Sequence, residues 1–217
     1  MTVGKATQSR LQIGLAVAGL IPALRLLQPV LPGLGSGQAL TAQTVEHMAQ
    51  RSGSWALYFL LLSLSITPLR RGLRAAWLVR FRRTLGLLSF VYAGLHLGIW
   101  LVDHARDPLP RLGESLLADL GKRPYIALGA LAFLCLLPLA LTSTQGMIRR
   151  LGRRWQRLHR LVYGAALLSV LHFTWQAKQD AWRAYLCAAI WLLWMGLRLV
   201  YWARDLRRAW LEDSDGG

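Results

Sequence analysis

The sequence predicts an all-α, polytopic membrane protein built as a bundle of six transmembrane helices. Of its 217 residues 54% are hydrophobic, and the mean hydropathy is +0.35, which is too apolar for an ordinary soluble domain of this length. The 26 lysines and arginines cluster in short stretches between apolar runs, where topology signals lie. We therefore interpret the net charge of +16 as a membrane orientation signal, and nucleic-acid binding is not expected.

Six apolar stretches are long enough to cross the hydrocarbon core of a bilayer, allowing for some tilt. The predicted spans are residues 11–31, 55–69, 84–102, 124–141, 158–174 and 184–202. The first follows Lys5 and Arg10 as a signal peptide would, but no convincing small-residue cleavage site follows it, so we interpret it as a retained helix. Because no linker divides the chain, residues 1–217 are expected to form a single domain.

The distribution of basic residues predicts the orientation of the bundle. Residues 70–83 carry six arginines and residues 143–157 carry five. Together with the basic residues near both termini, one side of the membrane holds sixteen lysines and arginines, whereas the other side holds seven. The positive-inside rule then predicts that both termini are cytoplasmic.

The two cysteines, Cys135 and Cys187, each lie within an apolar stretch and form no CxxC or CxxCH motif. A disulfide, a zinc site and covalent c-type haem attachment are therefore not expected. We interpret both cysteines as small core residues.

Two histidines lie at matching depths in the third and fifth spans. His96 follows Arg83 by thirteen residues, and His172 follows Arg157 by fifteen. Since both spans are predicted to run outward from the cytoplasm and a helix rises 1.5 Å per residue, the depths differ by about 3 Å. Inward-facing imidazoles at one depth favour ligation of a single haem iron from opposite sides, an arrangement that suits electron transfer. The alternative is two unrelated polar residues that bond to neighbouring carbonyls.

His159 opens the fifth span and is a separate case. It lies roughly 20 Å from His172 and about 220° around an ideal helix, so the two imidazoles do not share a face. The matching depth of the third span holds Arg82 and Arg83, so the sequence does not support a second bis-histidine haem. His159 is interpreted either as a contact to a cytoplasm-side redox group or as an interfacial residue. His47 and His104 are expected to be solvated loop residues.

Six motifs occur along the chain in a fixed order. They are TPLRR at 67–71, RRTLGLLSFVYAGLH at 82–96, KRPYIALG at 122–129, PLALTST at 138–144, RRLGRRWQRLHRLVY at 149–163 and LHFTWQAK at 171–178. Together they resemble the MsrQ (YedZ) family, haem-binding membrane subunits of the periplasmic methionine-sulfoxide reductase system. That family belongs to the ferric reductase-like transmembrane superfamily. The resemblance covers about residues 50–202.

This resemblance implies haem b with its iron on His96, His159 and His172, and FMN as an associated cofactor. It also implies a place in the bacterial inner membrane and electrons from the quinone pool. The implied partner is a periplasmic molybdopterin-containing methionine-sulfoxide reductase, which carries the catalytic site and repairs oxidised proteins. No Rossmann fingerprint is present, so electrons are expected from a separate donor.

The outer connections, residues 103–123 and 176–183, are the expected docking surface for the partner. The basic inner loops are expected to meet membrane lipid. From the residues alone two other classes stay open, namely a small transporter or proton relay that uses His96 and His172, and a non-catalytic membrane anchor. The relay is weakened because none of the six spans contains Asp or Glu.

Overall fold

The computed structural model describes residues 5–29, 41–104, 118, 121–177 and 181–214, and these parts of the chain are helical and contain no strand. The helices are α1 (Lys5–Leu27), α2 (Ala42–Gly72), α3 (Val79–His104), α4 (Pro124–Leu141), α5 (Gln145–Leu151), α6 (Arg153–Leu158), α7 (Leu161–Gln176) and α8 (Ala181–Ser214). A 3₁₀ turn at Ala76–Leu78 precedes α3. The predicted all-α class is confirmed.

Five stretches within the described residues are long and apolar enough to cross a membrane. They are Thr7–Leu27, Ala42–Gly72, Ala76–Asp103, Pro124–Leu141 and Ala181–Arg208. These correspond to the first, second, third, fourth and sixth predicted spans. The polytopic membrane class is therefore confirmed, while the count of six and the cytoplasmic placement of both termini stay predictions.

The fifth predicted span, residues 158–174, is shorter in the structure. It is helix α7, whose 16 residues extend about 24 Å against a hydrocarbon core of about 30 Å. The helix begins at Leu161 because the chain turns at His159 and Arg160, where Tyr163 N–H bonds to the Arg160 carbonyl three residues earlier. His159 thus lies in the turn before the span, and not inside it.

Helix α2 is longer than the predicted span 55–69 and begins at Ala42. Its first turns are polar, so hydropathy does not reveal them. The Thr41 side chain caps this end by accepting a hydrogen bond from the Thr44 N–H. The extra turns matter because they carry Ala49 and Gly53, which meet a histidine of α3.

Helix α2 lies at the centre of the bundle and contributes to each of three buried clusters. Its Leu60 and Leu64 pack against α4 and α7, and its Phe59 and Ile66 pack against α1 and α3. A third group joins α2 to α7 and α8, and its members are Leu57, Leu61, Val170 and Cys187. Cys187 is buried and Cys135 packs beside the first cluster, as expected of small core residues.

Hydroxyl groups tie α3 to its two neighbours through backbone carbonyls. Tyr92 donates to the Gly19 carbonyl of α1 at 2.8 Å, and Ser89 donates to the Ala56 carbonyl of α2 at 2.8 Å. Both side chains are fully buried. Apolar helix faces gain little by leaving lipid, so hydrogen bonds between helices contribute to the association of membrane helices.

We expect Leu64→Ala to destabilise the protein by about 2 kcal/mol or more, because its side chain is fully buried and its loss leaves a cavity among α2, α4 and α7. Leu62→Ala on the same helix is the matched control, since Leu62 is 50% exposed and should cost less than about 1 kcal/mol. The measurement is denaturant unfolding in detergent micelles. Equal losses for the two variants would contradict the central position of α2.

Candidate functional site

The structure brings His96 of α3 and His172 of α7 together inside the bundle. Their ring centroids lie 6.1 Å apart, and the ring planes form an angle of 70°. Both side chains are half-buried. The two histidines therefore face each other across a gap, as their matched depths predict.

Each of these histidines is held by a backbone carbonyl of a neighbouring helix. The Nδ1 atom of His96 lies 2.8 Å from the Ala49 oxygen of α2, and the Nδ1 atom of His172 lies 2.6 Å from the Tyr125 oxygen of α4. Because a carbonyl oxygen only accepts, Nδ1 carries the proton and donates in both rings. The Nε2 atoms of two neutral imidazoles then carry the lone pairs that bind a metal.

Two glycines make room for the imidazole rings. A Cβ atom at Gly53 would lie 3.1 Å from the His96 Nδ1 atom, and a Cβ atom at Gly129 would lie 3.0 Å from the His172 Nδ1 atom. Both separations are tighter than ordinary packing allows. Each glycine follows its carbonyl partner, Ala49 or Tyr125, by four residues, so the two histidines rest on the same local pattern in different helices.

The chemistry of this pair fits an iron held inside a macrocycle. Two metal–nitrogen bonds of about 2 Å each, with an imidazole radius of about 1 Å added at both ends, require ring centroids roughly 6 Å apart. Among the described residues no third His, Cys, Asp or Glu joins the two histidines. His96 and His172 would be the two protein ligands of a haem, whose porphyrin would supply the remaining nitrogen ligands.

Comparisons with known proteins identify similar chains over most of the sequence. Residues 52–170 match the family described as Ferric reductase like transmembrane component. A Ralstonia nicotianae protein is 42% identical over 88% of this chain and 85% of its own length, and a Bordetella pertussis protein is 42% identical over 88% and 89%. A Xanthomonas euvesicatoria protein is 47% identical over 76% and 74%. Each is named Protein-methionine-sulfoxide reductase heme-binding subunit MsrQ.

The chain belongs to the MsrQ family. The family membership expected from the six motifs is thereby confirmed. With its apolar helices, this MsrQ family member is a multi-pass protein of the bacterial inner membrane.

His159, the third histidine in the MsrQ resemblance, does not join the pair. It lies in the turn between α6 and α7, where its ring stacks on Trp155 at a centroid distance of 3.8 Å. Its Nδ1 atom lies 3.1 Å from the Trp155 carbonyl, and Trp155 in turn donates to the Thr142 carbonyl. Arg82 of α3 is close enough to His159 to interact electrostatically. His159 therefore occupies a separate environment at the basic end of the bundle.

Neither of the two remaining histidines lies in a loop. His47 lies in α2 and is exposed, and Arg51 one turn later donates to its Nε2 atom at 3.4 Å. His104 is the last residue of α3. The prediction of a loop was wrong for both histidines, because the polar start of α2 has no hydropathy signal and α3 extends two residues beyond the predicted span.

Sequence reasoning missed four members of this site, namely Ala49, Gly53, Tyr125 and Gly129. A signal was present for two of them, since the KRPYIALG motif contains both Tyr125 and Gly129 four residues apart. The equivalent pair in α2 lies outside the predicted span. The contact itself depends on which helices are neighbours, and hydropathy does not report that.

Proposed function

We propose that this chain binds haem b between His96 and His172 and carries electrons through the inner membrane. The single observation that supports this most is the pair of imidazoles, with centroids 6.1 Å apart and each Nδ1 atom bonded to a backbone carbonyl. The names of the MsrQ relatives, which describe heme-binding subunits of a methionine-sulfoxide reductase, support the same assignment.

The protein groups act by fixing the two ligands. The carbonyls of Ala49 and Tyr125 hold each imidazole in one tautomer and one orientation, which is the usual role of partners behind metal-bound histidines. Haem iron exchanges one electron when bound. His96 and His172 would hold the haem iron between them, and a haem held by two histidines would supply electron transfer.

The electron source in this proposal is a membrane quinol, and the acceptor is a periplasmic molybdopterin-containing methionine-sulfoxide reductase. Each quinol oxidised to quinone releases two electrons and two protons, and reduction of one methionine sulfoxide to methionine and water consumes two of each. Most of the expected docking surface, residues 103–123 and 176–183, lies outside the described residues. The proposal that the partner docks there rests on the sequence alone.

The proposal also includes a second redox group near His159, at the basic end of the bundle, and FMN as a cofactor. His159 is placed there as a ligand or contact of a second redox group, on the strength of the resemblance and its position beside Trp155 and Arg82. FMN is carried over from the resemblance only, and the described residues define no site for it.

The main test replaces one histidine of the pair. We expect His96→Ala or His172→Ala to lose the low-spin spectrum of the haem, because one axial ligand is removed. Electron transfer from quinol to a purified periplasmic partner should fall with it. Haem content, visible spectra and sulfoxide reduction are the measurements. His47→Ala is the control, since His47 is an exposed histidine. An unchanged low-spin spectrum in His96→Ala would refute the pairing.

A second test concerns the two glycines. We expect Gly53→Ala and Gly129→Ala to weaken haem affinity about tenfold or more, because the new methyl group pushes the imidazole away from its carbonyl. The control is Gly94→Ala on α3, where an added Cβ meets no atom within 4 Å. Haem titration of the purified proteins gives the affinities. If all three variants bind haem equally, the glycines do not position the ligands.

A third test separates His159 from the pair. His159→Ala should keep the low-spin spectrum that depends on His96 and His172, while quinol-driven haem reduction slows several-fold, because a redox contact at the basic end is lost. Stopped-flow reduction by a short-chain quinol, with dithionite reduction for comparison, is the measurement. Wild-type rates together with wild-type haem content would leave His159 as an interfacial residue.

A further inference from the structure

Arg198 is a charged residue inside the apolar helix α8. One terminal nitrogen donates to the Leu64 carbonyl of α2, and the guanidinium carbon lies 4.9 Å from the centre of the Tyr163 ring. Its Nε and Nη1 atoms are buried and have no hydrogen-bond partner. A cation at membrane depth is costly, and buried donors without acceptors add to that cost. The Tyr163 side chain also interacts with the guanidinium, but Nε and Nη1 still make no hydrogen bond, so the arrangement leaves donors for a further acceptor.

A cavity of about 470 Å³ lies at this arginine, between α2, α7 and α8. Trp191 also lines it, and the Trp191 Nε1 atom is a second buried donor without a partner. Trp191, Met195, Arg198 and Trp202 form one stripe along α8, since they are separated by one helical turn each. The volume lies within the range of small-molecule sites. The cavity thus has aromatic walls, and its N–H donors on Arg198 and Trp191 lack hydrogen-bond acceptors.

The cavity opens partly on the apolar outer surface of the bundle, which faces lipid in a membrane protein. Leu199 and Trp202 on its rim are 64% and 63% exposed, although both are large and apolar. At the basic end of the cavity, Arg71 pairs with Asp205 at 3.1 Å and lies over the Tyr201 ring at 5.2 Å. An occupant therefore enters from the lipid.

The depth of Arg198 in the membrane separates two kinds of ligand that could enter from lipid, a lipid phosphate and a neutral ring. Arg198 precedes Arg204 by six residues, which is about 9 Å along the helix, and half of the hydrocarbon core is about 15 Å. A lipid phosphate belongs to the headgroup layer above this depth. A neutral planar ring with acceptor oxygens dissolves in hydrocarbon, stacks on aromatic walls and satisfies N–H donors.

We propose that this cavity binds the headgroup of a lipid-soluble quinol, with Arg198 and Trp191 donating to its oxygens. The proposal rests on the proposed function, in which a quinol is the electron donor. Tyr163 on the cavity wall and His172 are nine residues apart on α7, which is about 14 Å. The cavity therefore lies on the basic side of the histidine pair.

The experiment uses the full-length, haem-loaded protein in nanodiscs. The dissociation constant of a short-chain ubiquinone is measured by equilibrium binding, and haem reduction by the corresponding quinol is followed by absorbance. Arg198→Gln should weaken ubiquinone binding at least tenfold, with unchanged haem spectra and dithionite reduction. Arg204→Gln is the matched control, because Arg204 is an exposed arginine on the same helix and outside the cavity. If Arg198→Gln does not fold, Trp191→Phe tests the site instead, because it removes the Nε1–H donor and keeps an aromatic side chain.

Each outcome supports or overturns the proposal. Unchanged ubiquinone binding in Arg198→Gln and Trp191→Phe overturns the site, and the proposed function stands if quinol still reduces the haem. Binding at the cavity without haem reduction by quinol in the wild-type protein keeps the site and overturns the electron source. If Arg198→Gln loses bound phosphatidylglycerol but still binds ubiquinone, the cavity is a site for a lipid phosphate and the proposal is overturned.

Discussion

The site depends on a hydrogen bond between an imidazole and a helix carbonyl. A carbonyl inside a helix already accepts the N–H four residues later, so only its second lone pair is free for a neighbour. Any side chain at that later position stands beside the approaching ring. Glycine at the position, Gly53 after Ala49 and Gly129 after Tyr125, is therefore the condition under which a histidine of another helix reaches the carbonyl.

The same constraint explains why α2 is the central helix. It supplies the carbonyl for His96, buries residues in all three apolar clusters and accepts hydrogen bonds from Ser89 and Arg198. The first turns of α2 contact His96, and its middle turns carry the buried residues of the three clusters. The polar start of α2 is thus part of the site, although its composition resembles a surface segment.

Much of the architecture could be predicted from the sequence. The lengths of the apolar stretches indicate the spans, and the positions of the arginines indicate the depth of a residue along its span. The similar depth of His96 and His172 followed from the rise per residue, whereas their meeting also required α3 and α7 to be neighbours. The supporting residues could not be predicted, since Ala49 lies in a polar stretch and helix neighbours are set by packing. The turn at His159 was missed because the predicted span was begun at Leu158, before the polar residues His159 and Arg160. Arg198 gave no signal beyond being a lone charge in an apolar run.

The two histidines belong to different helix pairs, since His96 links α3 to α2 and His172 links α7 to α4. A haem bound as proposed is therefore a cross-link between two halves of the bundle. Ligand that binds only the folded state adds about 2.7 kcal/mol at a hundredfold excess over its dissociation constant. The folded bundle is then less stable when haem is scarce.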